Sequence, residues 1–343
     1  MTSDATRSEP YEITVLLLDQ FAMIAFSSTI EPLREANWLM GEKVYEWKVV
    51  SQDGNAVRAS NGISINVDGS IDDVKSAAMV IVCSSFDPHL YATPAVLNWL
   101  RKLARKGARV GGIETGAYVL AKAGLLDGYR ATIHWEHSES ITESFAKVLL
   151  TDNLFEVDRT RFTSSGALAT LDMMLHFITL QLGGRVAAAV ADGFVYSRAR
   201  QGGSPQRPGP AERMNIYHPR LQRLLKFFNL NLDRHLHVAE MATSENITDR
   251  EVRRLFSTYL KSTPQAYHRS LRLQRARLML RQTDISVTET AVSCGFASSS
   301  DFARAFKREF GQHPGADRRV AYFLERPADQ RIPRDIALDL ERG

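Results

Sequence analysis

Two stretches of the chain hold residues whose types and spacing could do chemistry. The first is Ala108–His137, ARVGGIETGAYVLAKAGLLDGYRATIHWEH. An apolar strand ends at Ile113, a sharp Glu114–Thr115–Gly116 turn follows, and a helix begins at Ala117. This is the strand–turn–helix arrangement of a nucleophile elbow, in which a strained turn points one side chain into a site. Here that side chain is a carboxylate. His134 and Trp135 follow downstream. A carboxylate beside aromatic rings suits an ammonium group, by charge and by cation–π attraction. The bland alternatives are that Glu114 bonds neighbouring backbone and that His134 is a satisfied structural histidine. His134 and His137 have a spacing that could ligate metal, but no third or fourth ligand is evident, so no metal and no cofactor is expected. The second stretch carries Arg250, Arg253 and Arg254 on one helical segment. Ser298, Ser299, Ser300, Asp301 and Arg304 lie on another. Arginines pair with guanine edges, and serines bond bases or phosphates.

Both stretches need elements to hold them. Residues 11–196 alternate short apolar runs with helical patterns. Strands are expected at Ile13–Leu18, Trp47–Val50, Met79–Cys83, Arg109–Ile113 and Leu154–Val157. Helices are expected at Thr29–Met40, Thr93–Lys106, Gly116–Ala123, Ile141–Leu150, Leu168–Leu182 and Arg185–Arg198. Such alternation predicts a flavodoxin-like α/β domain with a parallel sheet covered on both faces. Ligands of such sheets sit beyond the C-terminal strand ends. Asp19–Phe26, Cys83–Phe86, Glu114–Thr115 and His134–Trp135 would converge there, adding the rings of Phe21, Phe26 and Phe86. Trp38, Trp47 and Trp99 read as core or interface.

Residues 197–216 include ARQGGSPQRPGPAER (Ala199–Arg213), rich in Gly, Pro and Arg without apolar periodicity, and read as a linker. From 217 to 318 the pattern is all helical, with one motif twice. His237–Thr243, a polar turn, an N-cap at Thr248 and the helix Asp249–Tyr259 form the first copy, with Val252, Leu255, Phe256 and Tyr259 as the buried stripe. Val287–Cys294, the turn Gly295–Ala297 and Ser298–Phe310 form the second, burying Phe302, Ala305, Phe306 and Phe310. The helix Pro264–Gln282 joins them through a seam of Leu271, Leu273, Leu278 and Leu280. This is an all-α double helix-turn-helix domain. Two recognition helices on one rigid linker fit successive major grooves about 34 Å apart. Residues 319–343 are mixed and carry no assignable role.

The bulk numbers agree. A chain of 343 residues with 44% hydrophobic and 24% charged residues is an ordinary globular one, long enough for two domains. It has no membrane-length apolar run, a polar start without a secretory h-region, and two cysteines, Cys83 and Cys294, read as free thiols in separate domains. A cytoplasmic protein is expected. Residues 217–318 hold 17 Lys/Arg against 10 Asp/Glu, whereas residues 1–196 hold 17 against 23. One part is suited to a polyanion, the other is not.

The text TDREVRRLF (Thr248–Phe256) and GFASSSDFARAFKREFGQHP (Gly295–Pro314) resembles the AraC family of transcription regulators. The resemblance implies base- and phosphate-facing roles for Thr248, Arg250, Arg253, Arg254, Ser299, Ser300 and Arg304. The elbow region resembles the class I glutamine amidotransferase-like, or PfpI-type, domain, a known partner of AraC-type DNA-binding domains. In enzymes of that superfamily the elbow residue is Cys with a downstream His. Here the elbow residue is Glu114, and the matching histidine is His134. A carboxylate cannot do thiolate chemistry there, and Cys83 does not fit the elbow. The domain therefore reads as a ligand sensor and not an enzyme, with Glu114, Thr115, His134, Trp135, Phe21 and Phe86 as ligand residues. By resemblance the effector is a betaine-, carnitine- or arginine-like amine and the protein an activator of catabolic genes. Double-stranded DNA and a second copy of the chain are the expected partners, with RNA polymerase a candidate third. The alternative is an amidase- or hydratase-like enzyme fused to a DNA-binding domain.

Overall fold

The computed structural model describes residues 9–197, 199–207, 217–282 and 285–317. The chain divides into two compact units, Met1–Pro208 and Gly209–Gly343.

In the first unit, seven strands form one sheet in the order β10-β11-β7-β6-β1-β2-β5. The strands are β1 (Tyr11–Leu17), β2 (Tyr45–Ser51), β5 (Gly69–Ser70), β6 (Met79–Ser84), β7 (Arg109–Glu114), β10 (Phe155–Asp158) and β11 (Arg161–Ser164). All neighbours run parallel except the β10–β11 hairpin. Short pairs β3 (Val57–Arg58) with β4 (Ser64–Ile65) and β8 (Arg130–Ala131) with β9 (Leu149–Leu150) stand outside it. Successive strand residues point to opposite faces. Val15, Leu17, Ile81, Cys83 and Ile113 therefore enter one core under α1 (Met23–Met40), α6 (Ala167–Leu182) and α7 (Gly184–Gly193). Leu16, Val80, Val82 and Val110 enter another with α3 (Pro94–Arg105) and α4 (Gly116–Lys122). The helices α2 (Pro88–Tyr91) and α5 (Ser138–Ser144) are short. Both faces are covered, as buried apolar strands require.

Four expectations change. The helix expected over Ile141–Leu150 is α5 followed by β9, because the chain must pair with Arg130–Ala131. The last helix stops at Gly193 rather than Arg198. Strand β11 lies between β7 and β10, at a place where no strand was expected. Residues 199–207 are no free linker but lie against the first unit, pairing Asn153 with Pro205. Residues 208–216 and 319–343 fall outside the described residues. Of the tryptophans, Trp99 is buried with Nε1 donating to the Val74 carbonyl at 3.2 Å, Trp47 packs on the first core, and Trp38 is 71% exposed.

The second unit opens with the helix Pro219–Asn229. The first motif is Val238–Ser244 and Asp249–Leu260, the joining helix Pro264–Gln282, and the second motif Val287–Ser293 and Ser299–Phe310. Each motif has its own core. Phe228, Met241, Val252, Leu255 and Phe256 fill one; Leu273, Leu280, Ala291, Phe302 and Phe306 fill the other. Tyr259, expected in the first stripe, is 46% exposed, its ring 5.4 Å from that of His218. Buried Asp317 accepts from Arg277 and Arg281 and pins the chain after the second motif to the joining helix.

Candidate effector site and nucleic-acid interface

The elbow is strained. Glu114 ends β7 with φ 56°, a left-handed conformation that costs a residue with a side chain about 1–3 kcal/mol. The turn is held from below. Thr115 is buried and donates its Oγ1 hydrogen to the Ser85 carbonyl at 2.5 Å. At Gly116 any Cβ would fall 2.2 Å from the Val82 carbonyl oxygen, so only glycine lets α4 start against β6. On the other side Gly166, at φ 99°, brings its Cα against the acid, where an added Cβ would stand 2.2 Å from Glu114 Cδ. Neither glycine contact is visible in sequence, because each depends on a neighbouring strand end.

The half-buried Glu114 carboxylate has no hydrogen-bond or ion-pair partner among the described residues. Burial, with the charge of Glu136 adding to it, pushes its pKa up to about 8. Burial also raises Glu136. Sequence reasoning passed over Glu136, although it stands beside Trp135 in the same WEH text. His134 Nδ1 lies 3.8 Å from Glu136 Oε2. Burial lowers His134 to about 4, and burial with the nearby His134 lowers His137 to about 3. Both imidazoles are thus neutral at physiological pH, and the His134–Glu136 contact is a polar contact rather than an ion pair. Ser84 pairs with Glu114 in register, and its buried hydroxyl has no hydrogen-bond partner among the described residues.

The expected ligand set divides. Glu114, Glu136 and His134 share one electrostatic neighbourhood, and half-buried Phe86 follows the adjacent strand β6. Thr115 is committed to backbone and serves the turn. Phe21 has no exposed surface and stands edge-on to Phe26 at 5.7 Å in the core, so it offers no face to a ligand. Trp135 faces a separate cavity of about 320 Å³ lined by Ser138, Thr151, Pro205, Gln206 and Arg207. Among the described residues no group of three His, Cys, Asp or Glu could hold a metal. Cys83 is fully buried with its thiol pushed up by burial and by Glu114, which makes it a poor nucleophile.

The second unit presents the other surface. Thr248 caps its helix, its Oγ1 accepting from the Glu251 amide at 3.2 Å. Arg250, Arg253 and Arg254 are exposed at helical i, i+3, i+4 spacing opposite the buried stripe. Arg254 is bridged to Glu251 at 2.8 Å. Arg250 and Arg253 have no ion-pair partner among the described residues. In the second motif Ser300 and Arg304 are exposed, and Arg304 pairs with Asp301. Ser299 is half-buried and donates to Thr288 Oγ1 at 3.4 Å.

Comparison with known proteins decides what these parts are. Residues 11–180 match the DJ-1/PfpI family and residues 241–319 a helix-turn-helix domain family. The HTH-type transcriptional regulator GbdR of Pseudomonas aeruginosa is 38% identical over 329 residues, 96% of this chain and 90% of that protein. The HTH-type transcriptional regulator CdhR of the same species is 41% identical over 305 residues, 89% of this chain and 90% of that one. The crystal structure of an AraC family transcriptional regulator from Pseudomonas putida, 27% identical, covers 54% of this chain and all of its own, with a TM-score of 0.50. This chain belongs to the AraC family of transcription regulators. In this chain a DJ-1/PfpI domain stands in front of the helix-turn-helix unit. A THiJ/PfpI family protein from Pseudomonas syringae, 17% identical with a TM-score of 0.51, shares the fold alone. The AraC-type chain is a regulator that binds double-stranded DNA and not an enzyme. No described helix is long and apolar enough to cross a membrane.

Proposed function

We propose that this regulator switches transcription in response to a small cationic or zwitterionic amine bound at the elbow of its first unit. The observation that carries the reading is Glu114. It is a strained acid, with no hydrogen-bond or ion-pair partner among the described residues, that shares its surroundings with a second acid, Glu136. Near neutral pH burial keeps a proton on Glu114, and a cation seated beside Glu114 and Glu136 takes the place of that proton. The neutral His134 and the ring of Phe86 complete a surface suited to an ammonium group of betaine, carnitine or arginine type. As an activator of catabolic genes the protein would engage RNA polymerase, and as a homodimer it would place its readers on paired half-sites.

Calorimetry with glycine betaine, carnitine and arginine tests the reading. One of them binds the wild type, and Glu114→Gln weakens that binding at least tenfold. Equal affinity of the two proteins, or no binding by any of the three, refutes it.

A further inference from the structure

The first unit ends in residues 199–207, and these are held at several points. At the near end, the fully buried carboxylate of Asp172 accepts from the Arg200 amide at 2.7 Å, from Arg200 Nε at 2.9 Å and from the Tyr196 hydroxyl at 3.0 Å. Further on, the Leu154 amide donates to the carbonyls of Gly202 and Ser204, both at 2.9 Å, and the Gln206 amide donates to Asp152 at 3.1 Å. Gln206 Nε2 reaches Thr132 Oγ1 at 2.9 Å and the carbonyls of Ile133 at 2.8 Å and Asn153 at 3.2 Å. Finally the Arg207 guanidinium lies over the Trp135 ring, 3.5 Å from its centroid.

The far end grips the segment that carries the effector site. Gln206 bonds the residue before His134, and Arg207 covers Trp135, whose neighbours in sequence are His134 and Glu136. Trp135–His137 is one 3-10 turn, so a pull on Glu136 moves Trp135 with it. The grip is also imperfect. Gln206 Oε1 is buried with no hydrogen-bond partner among the described residues, which favours undocking. At the near end the reverse holds, because leaving would strand the buried charge of Asp172.

We propose that Gln201–Arg207 is a releasable strap: an ammonium group bound beside Glu114 and Glu136 pulls on the Trp135–His137 turn, and the Trp135 ring leaves its seat under Arg207. The strap remains hinged at Arg200 on Asp172. Its release frees seven residues immediately before the second unit, up to about 24 Å of extended chain. The sensor thereby reports occupancy as tether length. This inference rests on the amine reading of the elbow.

The test uses the full chain, glycine betaine and tetramethylammonium as probes, and Arg207→Gln, which removes the charge and keeps the stem. Calorimetry is expected to show the variant binding either probe about 2- to 5-fold tighter, since it has lost the Arg207–Trp135 contact that holds the turn in its unliganded position. Hydrogen exchange is expected to speed up at the Leu154 and Gln206 amides when the probe binds wild type, while the Arg200 amide stays protected. Thermal melting confirms that the variant is folded. If a probe binds wild type and the variant binds no tighter, or exchange at Leu154 and Gln206 does not respond, the strap is a fixed anchor and the proposal fails alone. If neither protein binds either probe, the amine reading fails and the release with it.

Discussion

At Glu114 the local chemistry sets a pH dependence whose sign can be worked out. A carboxyl whose folded pKa stands at about 8, above its ordinary 4.5, keeps a proton in the folded state that the unfolded chain has lost. Raising the pH through that window therefore lowers stability, and the loss ends above the folded value. The site histidines act in the opposite sense. Depressed to about 4 and 3, His134 and His137 resist protonation in the folded state, so their contribution is lost as pH falls below 6.5. The two effects oppose each other between 4.5 and 6.5, and Glu114 stands alone between about 6.5 and 8. Calorimetric melting of the first unit's transition is expected to show stability falling across that upper window by at most ~2 kcal/mol. Glu114→Gln flattens the upper window and leaves the acid side unchanged. A wild-type profile flat from 6.5 to 8 would mean that Glu114 is already ionised.

Among the elements, the recognition helices show how much a pattern can convey. The stripe of Val252, Leu255 and Phe256 and its exposed counterpart of arginines were legible, because a helix sorts buried from exposed by spacing alone. What spacing cannot show is which arginine is already occupied. Arg254 is bridged to Glu251 three residues before it, and Arg304 to Asp301, whereas Arg250 and Arg253 have no such partner among the described residues. An arginine that must first leave a carboxylate gains less from a base or phosphate. Arg250→Ala and Arg253→Ala are accordingly expected to weaken operator binding by about 5- to 150-fold, the ~1–3 kcal/mol of a good base contact. Arg254→Ala should weaken it less. Fluorescence anisotropy on one operator ranks the three, and a largest loss at Arg254 would reverse this order. The same limit explains the misread pieces. Strand β11 is only RFTS, too short and polar to stand out, and the sheet completes it from both sides. The Gly- and Pro-rich composition of 199–207 says nothing of docking, since its bonds to Leu154 and Asp152 use main-chain groups. Glu136 was hidden because its meaning depends on Glu114, a neighbour only through the fold.

For the molecule as a whole, charge and division into two units constrain how an effector can act. Residues 1–196 carry a surplus of six acidic groups and residues 217–318 a surplus of seven basic ones. The phosphate contacts are therefore expected from the second unit, and their number sets the slope of affinity against salt. Under the tether proposal, an effector bound at the elbow leaves Arg250 and Ser300 as they are and changes how two copies of the second unit are held for two half-sites, through the length and freedom of the chain between the units. The two modes of action separate experimentally. If glycine betaine works through tethering, affinity for a single half-site and its salt slope stay the same with and without it, while affinity for paired half-sites and the preferred spacing between them change. If it works by remodelling the recognition helices, the single half-site responds as strongly as the pair. Anisotropy titrations of the full chain on single and paired half-sites, repeated across salt concentrations, distinguish them. A ligand effect of equal size on both sites would overturn the tether mechanism while leaving the elbow site intact.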